Sequence, residues 1–344
     1  MAVAAEPAVA LRWDGRTLSV LDQTDLPARE TWLTLTGAED TAAAIRRLSV
    51  RGAPLIGIVA AYGLAMEVTR RPGLGALEDG AEILTAARPT AVNLAWAVER
   101  VRAAALAAGP VTMAGAARAE AQRIHAEEDA ASAAIARHGA DLLAGARRIL
   151  TICNTGALAA GGEGTALAVI LELHRRADDG VRVLACETRP LLQGARLTTW
   201  ELARAGVPHE LVVDSAAAGL IRRGAADAVI AGTDRVAANG DVANKVGTYG
   251  LALAAQAAGI PFVIAGPVSS IDPALADGDG IEIEERGAEE VVAFGGVPAA
   301  PPGTAVRNPA FDVTPAGLVT ALVTERGVAS PPSADSVAAL LARP

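Results

Sequence analysis

The stretch that decides the fold begins at residues 148–156, RILTICNTG, a short apolar run that ends in polar residues. A helical segment follows at 164–177, GTALAVILELHRRA, and the next apolar run is 181–190, VRVLACETRP. The same alternation continues through HELVVDS (209–215), DAVIAGTD (227–234) and IPFVIAGPV (260–268). Strands that alternate with helices form a parallel sheet covered on both faces. The sequence therefore predicts an α/β protein with a doubly wound, Rossmann-like domain over residues 148–328.

The ends of the apolar runs mark the predicted ligand-binding edge of this sheet. Each run ends in polar or glycine-rich residues, at positions 153–156, 187–190, 214–215, 232–235 and 266–267. Open α/β sheets bind their ligands beyond the carboxyl ends of the strands. We therefore expect these five clusters to converge on one crevice.

The residues before this domain have a different, mainly helical pattern. Residues 11–21, LRWDGRTLSVL, predict a hairpin that turns at Asp14-Gly15, and helical patterns follow from Asp40 onwards. The remaining predicted regions are 1–110, an N-terminal β-hairpin and helical domain; 111–147, a long connecting helix; and 329–344, a loose C-terminal tail.

The composition excludes several classes of protein. Hydrophobic residues make up 51% of the 344 residues and charged residues 20%, which excludes a disordered chain. The net charge of −9, the lack of a basic run and the 3% of aromatic residues argue against nucleic acid or a membrane as partner. No signal peptide is visible, and the apolar uncharged stretch 52–66 is shorter than the ~20 residues of a membrane span. With two cysteines, Cys153 and Cys186, we expect a soluble protein of the reducing cytoplasm.

The loop at 232–250, GTDRVAANGDVANKVGTYG, concentrates polar side chains behind an apolar strand. Asp234 directly follows VIAGT, where burial would raise the pKa of its carboxyl towards the useful acid–base range. Lys245 is the only lysine of the sequence, and its compact ammonium suits an anionic ligand in a tight site. The alternatives are chance for the single lysine and a solvated turn for residues 239–241.

Cys153 lies at a strand end, before a glycine-rich turn at 156–164 and a helix that opens at Thr165. Backbone amides at a helix N-terminus lower the pKa of a thiol and also bind anions. The alternative for a free cysteine is a small buried apolar side chain, and for Cys186, inside its strand, that alternative is favoured. The glycines match a dinucleotide-binding turn only weakly, and the four histidines lack metal-ligand spacing.

A set of longer motifs carries a family resemblance over roughly residues 11–328. The motifs occur in this order: RGAPLIGIVAAYG, RPTAVNL, CNTGALA, CETRPLLQGARLTTWEL, DSAAAGLI, GTDRVAANGDVANKVGTYGLA, PVSSID, IEIEER and NPAFDVTP. Together they resemble the methylthioribose-1-phosphate isomerases of methionine salvage. The resemblance implies a homodimer with a mostly helical N-terminal domain, a Rossmann-like C-terminal domain, a small sugar phosphate as substrate and no cofactor.

The same resemblance implies roles for individual residues. It places the catalytic cysteine at Cys153 and the proton-donating aspartate at Asp234. The implied substrate-binding residues are Arg51, Gly52, Ala53, Arg88, Gln193, Asn244 and Lys245. Two departures from the family pattern, Ile152 in place of His and Thr233 in place of Ala, remove no reactive group but alter the polarity expected beside Cys153.

The implied activity is an aldose–ketose isomerisation of 5-methylthioribose 1-phosphate to 5-methylthioribulose 1-phosphate. The hydrogen moves from C2 to C1 either as a proton through an enediol or as a hydride, and the sequence leaves both routes open. Two alternative functions come from relatives of this family. They are the isomerisation of ribose 1,5-bisphosphate and a non-catalytic regulatory role, as in the subunits of a translation initiation exchange factor.

Overall fold

The structure, a computed structural model, describes residues 8–89 and 91–343. The chain divides into two compact units. Unit 1 holds the residues up to Ala134 together with Asn154–Ala168, and unit 2 holds Ile135–Cys153 together with the residues from Val169 onwards.

Unit 1 combines a small antiparallel sheet with a bundle of helices. The predicted hairpin is confirmed, because Leu11 pairs with Val20 across β1 and β2, and a third strand, β3, pairs with β2. The strands of unit 1 are β1 (Leu11–Trp13), β2 (Leu18–Leu21) and β3 (Trp32–Leu35). Its helices are α1 (Ala38–Arg46), α2 (Ala53–Arg70), α3 (Leu74–Thr85), α4 (Val92–Ala108), α5 (Met113–Leu142, shared with unit 2) and α6 (Ala157–Ala160).

Helix α2 is the core of unit 1. Every residue from Pro54 to Val68 is buried, and α1, α3, α4 and α6 pack around it. By length and composition α2 is apolar enough to cross a membrane, but 78% of that segment is buried inside the protein. Burial on all sides explains why this helix is apolar all round. A helix with one face in water would carry polar residues on that face.

Unit 2 contains the predicted Rossmann-like sheet. In the described residues, seven strands lie in the order β16-β15-β10-β7-β4-β5-β6, and all are parallel except β16. The five strands expected from the apolar runs are all present. The strands of this sheet are β4 (Arg148–Thr151), β5 (Arg182–Cys186), β6 (His209–Val212), β7 (Ala228–Ala231), β10 (Phe262–Ala265), β15 (Ala321–Thr324) and β16 (Gly327–Ala329).

Unit 2 also contains a second, smaller sheet of four strands. Its order is β11-β8-β9-β14, and a separate two-stranded hairpin pairs β12 with β13. These strands are β8 (Arg235–Ala237), β9 (Val242–Lys245), β11 (Ile271–Asp272), β12 (Ala293–Phe294), β13 (Val297–Pro298) and β14 (Phe311–Thr314). The remaining helices are α7 (Ala166–Arg176), α8 (Thr199–Arg204), α9 (Ala217–Arg222), α10 (Thr248–Ala258), α11 (Glu289–Val292) and α12 (Ala334–Leu341).

The C-terminal segment differs from the loose tail expected from residue 329. Strand β16 pairs with β15, and α12 buries Val337 and Leu340, each 1% exposed, against the core of unit 2. Ser333 caps this helix by accepting a hydrogen bond from the amide of Ser336. The apolar residues of α12 recur at a spacing of three and four residues, which fits one buried helix face and accounts for the packing.

The order of the strands indicates which edge of the large sheet in unit 2 should bind a ligand. The chain runs from β4 outward through β5 to β6, and then returns to the other side of β4 as β7. At such a reversal the two neighbouring strands send their following loops apart, which opens a crevice at their carboxyl ends. The loops that follow β4 and β7 therefore border the expected ligand site.

Candidate active site

The predicted site residues fall into two groups, one in each compact unit. Unit 1 carries Arg51, Gly52, Ala53 and Arg88, and unit 2 carries Cys153, Gln193, Asp234, Asn244 and Lys245. Within unit 2, Cys153 and Asp234 follow β4 and β7, the two strands that meet at the reversal of strand order. The structure thus brings the two predicted catalytic residues to the same edge of the same sheet.

Cys153 is half-buried and has an unusual backbone. Its φ of +64° lies in the left-handed region, where a residue with a Cβ is strained by roughly 1–2 kcal/mol. Its amide donates to the Oγ1 of Thr188 at 2.8 Å, and its carbonyl accepts from the Oγ1 of Thr198 at 2.6 Å. Strain of this kind persists only where neighbours enforce it, and it concentrates at functional sites.

Cys186, by contrast, is the buried apolar thiol that the sequence favours for it. It is 1% exposed inside β5. Burial, with further contributions from Asp214 and Glu187, raises the pKa of its thiol to about 12. A thiol that stays protonated at neutral pH is a poor nucleophile and a poor base.

Asp234, Asn244 and Lys245 lie together on the hairpin formed by β8 and β9. The amide of Asp234 donates to the carbonyl of Ala243 at 3.0 Å, which joins the loop after β7 to β9. Asn244 is buried, and its amide nitrogen donates to the Oγ1 of Thr248 at 3.0 Å. The polar loop at 232–250 therefore contains an antiparallel hairpin.

The turn of this hairpin differs from the solvated turn that was one interpretation of residues 239–241. Asp241 accepts hydrogen bonds from the amides of Gly278 and Ala316 and from the side chain of Asn239. Burial alone would raise the pKa of Asp241, but these hydrogen bonds hold it below its usual range. Asp241 thus anchors the hairpin to two other loops, which fixes the position of the residues at its far end.

Lys245 is 7% exposed, so its ammonium is held away from bulk water. The Nζ donates to the carbonyl of Ala310 at 2.9 Å and lies 4.5 Å from the ring centroid of Phe311. Within the described residues Ala310 supplies its one hydrogen-bond acceptor, so two of the three N–H donors are available to a ligand. A buried ammonium with unused donors is suited to bind an anion.

The turn after Lys245 packs against the strand that leads to Cys153. Gly247, at φ +106°, lies so close to β4 that a Cβ there would approach the Cδ1 of Ile152 to 3.0 Å. The carboxylate of Asp312 accepts from the amides of Gly247 at 2.6 Å and Tyr249 at 3.1 Å, at the start of α10. The turn after β9 therefore lies next to Ile152, the residue before Cys153, and the Asp312 carboxylate fixes the start of α10.

Gln193 contributes an unsatisfied buried acceptor to the same unit. The residue is 7% exposed, and its Oε1 has no hydrogen-bond partner among the residues that the structure describes. A buried carbonyl oxygen without a partner is costly by about 1–3 kcal/mol, so such groups often mark a ligand contact. Gln193 directly precedes a π-helical turn, Gly194–Thr198, a rare conformation that is frequent at functional sites.

In unit 1, Arg51 is tied to the loop that follows Cys153 in sequence. Its Nη1 donates to the carbonyl of Asn154 at 3.0 Å, and its Nε donates to the Oε1 of Gln23 at 2.9 Å. Gln23 in turn donates to the carbonyl of Leu158 at 2.7 Å. Gly52 is required here, because any Cβ would overlap the backbone of Ala159. Arg88 is half-buried between α3 and α4.

Sequence reasoning missed several residues that shape this site. Thr188 and Asp214 lie in strand-end clusters that the sequence did single out, but without a role for either. Thr198 and Gln23 were not singled out, because their contacts join residues 45 and 28 positions apart. Among the described residues, no group of three or more His, Cys, Asp or Glu side chains is placed to hold a metal ion.

Comparisons with known proteins agree on one family. Residues 49–331 match the initiation factor 2 subunit family. The chain is 52% identical over 328 residues to a methylthioribose-1-phosphate isomerase of Anaeromyxobacter sp. (strain K), and the match covers 95% of each chain.

Two solved structures extend the likeness to the fold. The 5-methylthioribose 1-phosphate isomerase of Pyrococcus horikoshii OT3 superposes with a TM-score of 0.91 at 38% identity, covering 98% of this chain and 96% of that one. A protein described as translation initiation factor eIF-2B, subunit delta, from A. fulgidus superposes with a TM-score of 0.87, also at 38% identity, covering 97% and 99%. Both confirm the predicted fold class.

The contrast between the two cysteines generates a direct prediction. Iodoacetamide at pH 8 should label Cys153, which is half-buried, and spare Cys186, whose pKa of about 12 keeps it protonated at that pH. Mass spectrometry of the intact chain should therefore show one added label, and the Cys153→Ala variant should take up none. Labelling of Cys186 at a comparable rate would show that its burial is less complete than the structure has it.

Proposed function

Because the chain belongs to the initiation factor 2 subunit family and groups there with methylthioribose-1-phosphate isomerases, we propose that it isomerises 5-methylthioribose 1-phosphate to 5-methylthioribulose 1-phosphate. This is an aldose–ketose isomerisation in methionine salvage. One observation links membership of this family to the chemistry of the reaction. Cys153 and Asp234, a thiol and a carboxyl, follow the two strands at the reversal of strand order in a parallel sheet.

The chemistry of the substrate explains why an acid is needed. The phosphate ester on the anomeric oxygen prevents the ring from opening through a free hemiacetal hydroxyl. The bond between C1 and the ring oxygen must therefore break while that oxygen receives a proton. We assign this protonation to Asp234, the carboxyl that follows β7 at this edge of the sheet and that the family resemblance places as the proton donor.

The second step moves hydrogen from C2 to C1, and two routes use the same two residues. In one, Cys153 as thiolate removes the C2 proton, and an enediol forms that accepts a proton at C1. In the other, Asp234 takes the proton of the C2 hydroxyl while hydride passes directly from C2 to C1. Both routes leave a ketone at C2 and the phosphate on C1.

Binding of the substrate is assigned to the remaining predicted residues. The two unused donors of the Lys245 ammonium support a role in binding phosphate. The unpartnered Oε1 of Gln193 supports a role in accepting a hydroxyl hydrogen bond. Asn244, Arg51, Gly52, Ala53 and Arg88 are proposed substrate-binding residues on the strength of the family resemblance.

The decisive experiment follows conversion by NMR with 5-methylthioribose 1-phosphate, ribose 1,5-bisphosphate and ribose 5-phosphate side by side. We expect turnover of the first. Cys153→Ala and Asp234→Asn should each lower kcat by about a thousandfold, within the 10²–10⁴-fold range of positioned acid–base groups. Cys186→Ala should keep most activity, because its thiol is buried and protonated.

The other outcomes of this assay separate the alternatives. A preference for ribose 1,5-bisphosphate would reassign the substrate. No conversion of any sugar phosphate by the folded chain would favour a regulatory role, to which the likeness to the A. fulgidus protein points. Near-normal turnover by Cys153→Ala would refute the catalytic assignment itself. If the two residues act in one step, the double variant should be little slower than the slower single variant.

Lys245 allows a sharper test than most lysines. Its Nζ is enclosed by the carbonyl of Ala310 and the ring of Phe311, so the larger, planar guanidinium of Lys245→Arg should displace substrate or neighbours. We expect a loss in kcat/KM of at least about tenfold, or about 1.4 kcal/mol. The reverse exchange at an exposed site, Arg29→Lys, is the control and should have no effect. Wild-type kinetics for Lys245→Arg would mean that the single lysine has no special role.

We further propose that the protein is a cytoplasmic homodimer. The apolar helix α2 is buried inside unit 1 and offers no surface for a dimer, so the support comes from the edge strand β6 of unit 2. There Leu211 and Val213, 54% and 58% exposed, line a groove together with Leu220. Exposed apolar side chains on an open strand edge favour association with a second chain.

Light scattering at micromolar concentration should report twice the chain mass of 34.7 kDa. Leu211→Lys should shift the protein towards the single-chain mass, because lysine on an edge strand opposes pairing. Val297→Lys, at an exposed position of β13, is the control and should leave the mass unchanged. A parent protein that stays at the single-chain mass would contradict the dimer. Cell fractionation tests the location.

A further inference from the structure

Left-handed backbone conformations cluster around Cys153. Among the described residues, four that are not glycine have a positive φ, and three of them, Cys153, Thr188 and Leu192, lie in the segments that follow β4 and β5. Thr188 is the most unusual of the three, because a β-branched residue rarely adopts the left-handed region. Such a concentration of strain calls for contacts that enforce it.

Two buried threonine hydroxyls supply those contacts to Cys153. Thr188 is 0% exposed and Thr198 is 2% exposed, so their hydrogen bonds are shielded from water. The Oγ1 of Thr188 accepts the amide hydrogen of Cys153 and donates its own hydrogen to the carbonyl of Cys186 at 3.0 Å. The Oγ1 of Thr198 donates to the carbonyl of Cys153. Both main-chain polar groups of Cys153 are therefore held by side chains from another segment.

A third side chain holds Thr188 in its own left-handed conformation. The two carboxylate oxygens of Asp214, at the end of β6, accept from the amide of Thr188 at 2.8 Å and the amide of Arg189 at 2.7 Å. The ends of β4, β5 and β6 are thus linked in series, from Asp214 through Thr188 to Cys153. A displacement at any of these points would be passed to the cysteine.

The π-helical turn Gly194–Thr198 completes the arrangement. Gly194 lies so close to the end of β5 that a Cβ would overlap the carbonyl of Cys186 and approach the Oγ1 of Thr188. Because of this close approach, the hydroxyl of Thr198 lies within hydrogen-bond distance of the carbonyl of Cys153. The same turn begins directly after Gln193, so one short segment positions a proposed substrate contact and the main chain of the proposed catalytic cysteine.

We propose that Thr188 and Thr198 are positioning residues, which hold Cys153 in the left-handed conformation and thereby fix the direction of its thiol towards the sugar. Asp214 acts one step further away by fixing Thr188. The proposal rests on the catalytic role of Cys153 in the proposed function. A misplacement of a reacting group by about 1 Å lowers the rate by about a hundredfold. Loss of either hydroxyl should therefore lower kcat and spare binding.

The chain offers a matched control for Thr198. The neighbouring Thr199 also donates from its Oγ1 to a carbonyl at 2.6 Å, but to Ala195 within its own helical segment. Thr198→Val and Thr199→Val therefore remove the same group and the same length of hydrogen bond. We expect kcat to fall by about 10- to 100-fold in Thr198→Val, with KM changed less than about threefold, and to stay near wild type in Thr199→Val. Thr198→Ser keeps the hydroxyl and should restore most of kcat.

A second readout needs no substrate. The rate at which iodoacetamide labels Cys153, followed by mass spectrometry, reports the position and reactivity of its thiol. Cys186 is protonated and should remain unlabelled. We expect this rate to change at least about threefold in Thr198→Val and Thr188→Val and to return towards wild type in the serine variants. Because the labelling is independent of turnover, it tests the positioning even if the isomerase assay of the wild-type chain is negative.

The outcomes are distinct. The proposal would be overturned if Thr198→Val and Thr199→Val had the same kcat and the same labelling rate. It would also be overturned by a loss of kcat in Thr198→Val that is matched by a lower melting temperature and is not rescued by serine, since that pattern describes a structural role alone. Should Thr188→Val fail to fold, Asp214→Asn, which weakens the hold on Thr188, takes its place with the same two readouts.

Discussion

The parallel pairing of β4 with β7, which sets Thr151 opposite Ile230, is the constraint on which the candidate active site depends. Because the chain leaves β4 in one direction and returns at β7 on the other side, the two loops that follow these strands border the same crevice. The pairing of β4 with β7 thus places Cys153 and Asp234 at the same edge of the sheet. Everything else at the site refines that placement.

Polar side chains that bind main-chain groups fix the positions of these residues more closely. Thr188, Thr198 and Asp214 hold the strained turn at Cys153, and Asp241 holds the hairpin that carries Lys245. Left-handed residues and a π-helical turn are costly, by about 1–3 kcal/mol each for the backbone strain, so the fold spends stability on the geometry of this edge. A rigid sheet with fixed loop ends is well suited to a reaction that moves hydrogen between adjacent carbons, where small displacements change the rate strongly.

The sequence predicts those parts of the fold that local patterns determine. Of the five apolar runs between 148 and 268, four became the mostly buried strands β4, β5, β7 and β10, because a strand covered on both faces is continuously apolar, and the fifth became the exposed edge strand β6. Strands such as β8, β11 and β16 are two or three residues long and are defined by pairing with distant partners, so no local pattern marks them. At the site, Cys153 and Lys245 could be singled out as a strand-end thiol and a unique lysine. The hydroxyl of Thr198 acquires its importance only when the fold brings it to a carbonyl 45 residues away.

The measurement that tests this account most directly is a crystal structure with the product 5-methylthioribulose 1-phosphate bound. The account predicts that the Sγ of Cys153 and a carboxyl oxygen of Asp234 lie within about 3.5 Å of the C1–C2 unit of the sugar or its C2 oxygen. It also predicts that Cys153 keeps its positive φ and both threonine hydrogen bonds. A sugar bound away from both side chains, or a Cys153 that has left the left-handed region with product in place, would contradict it.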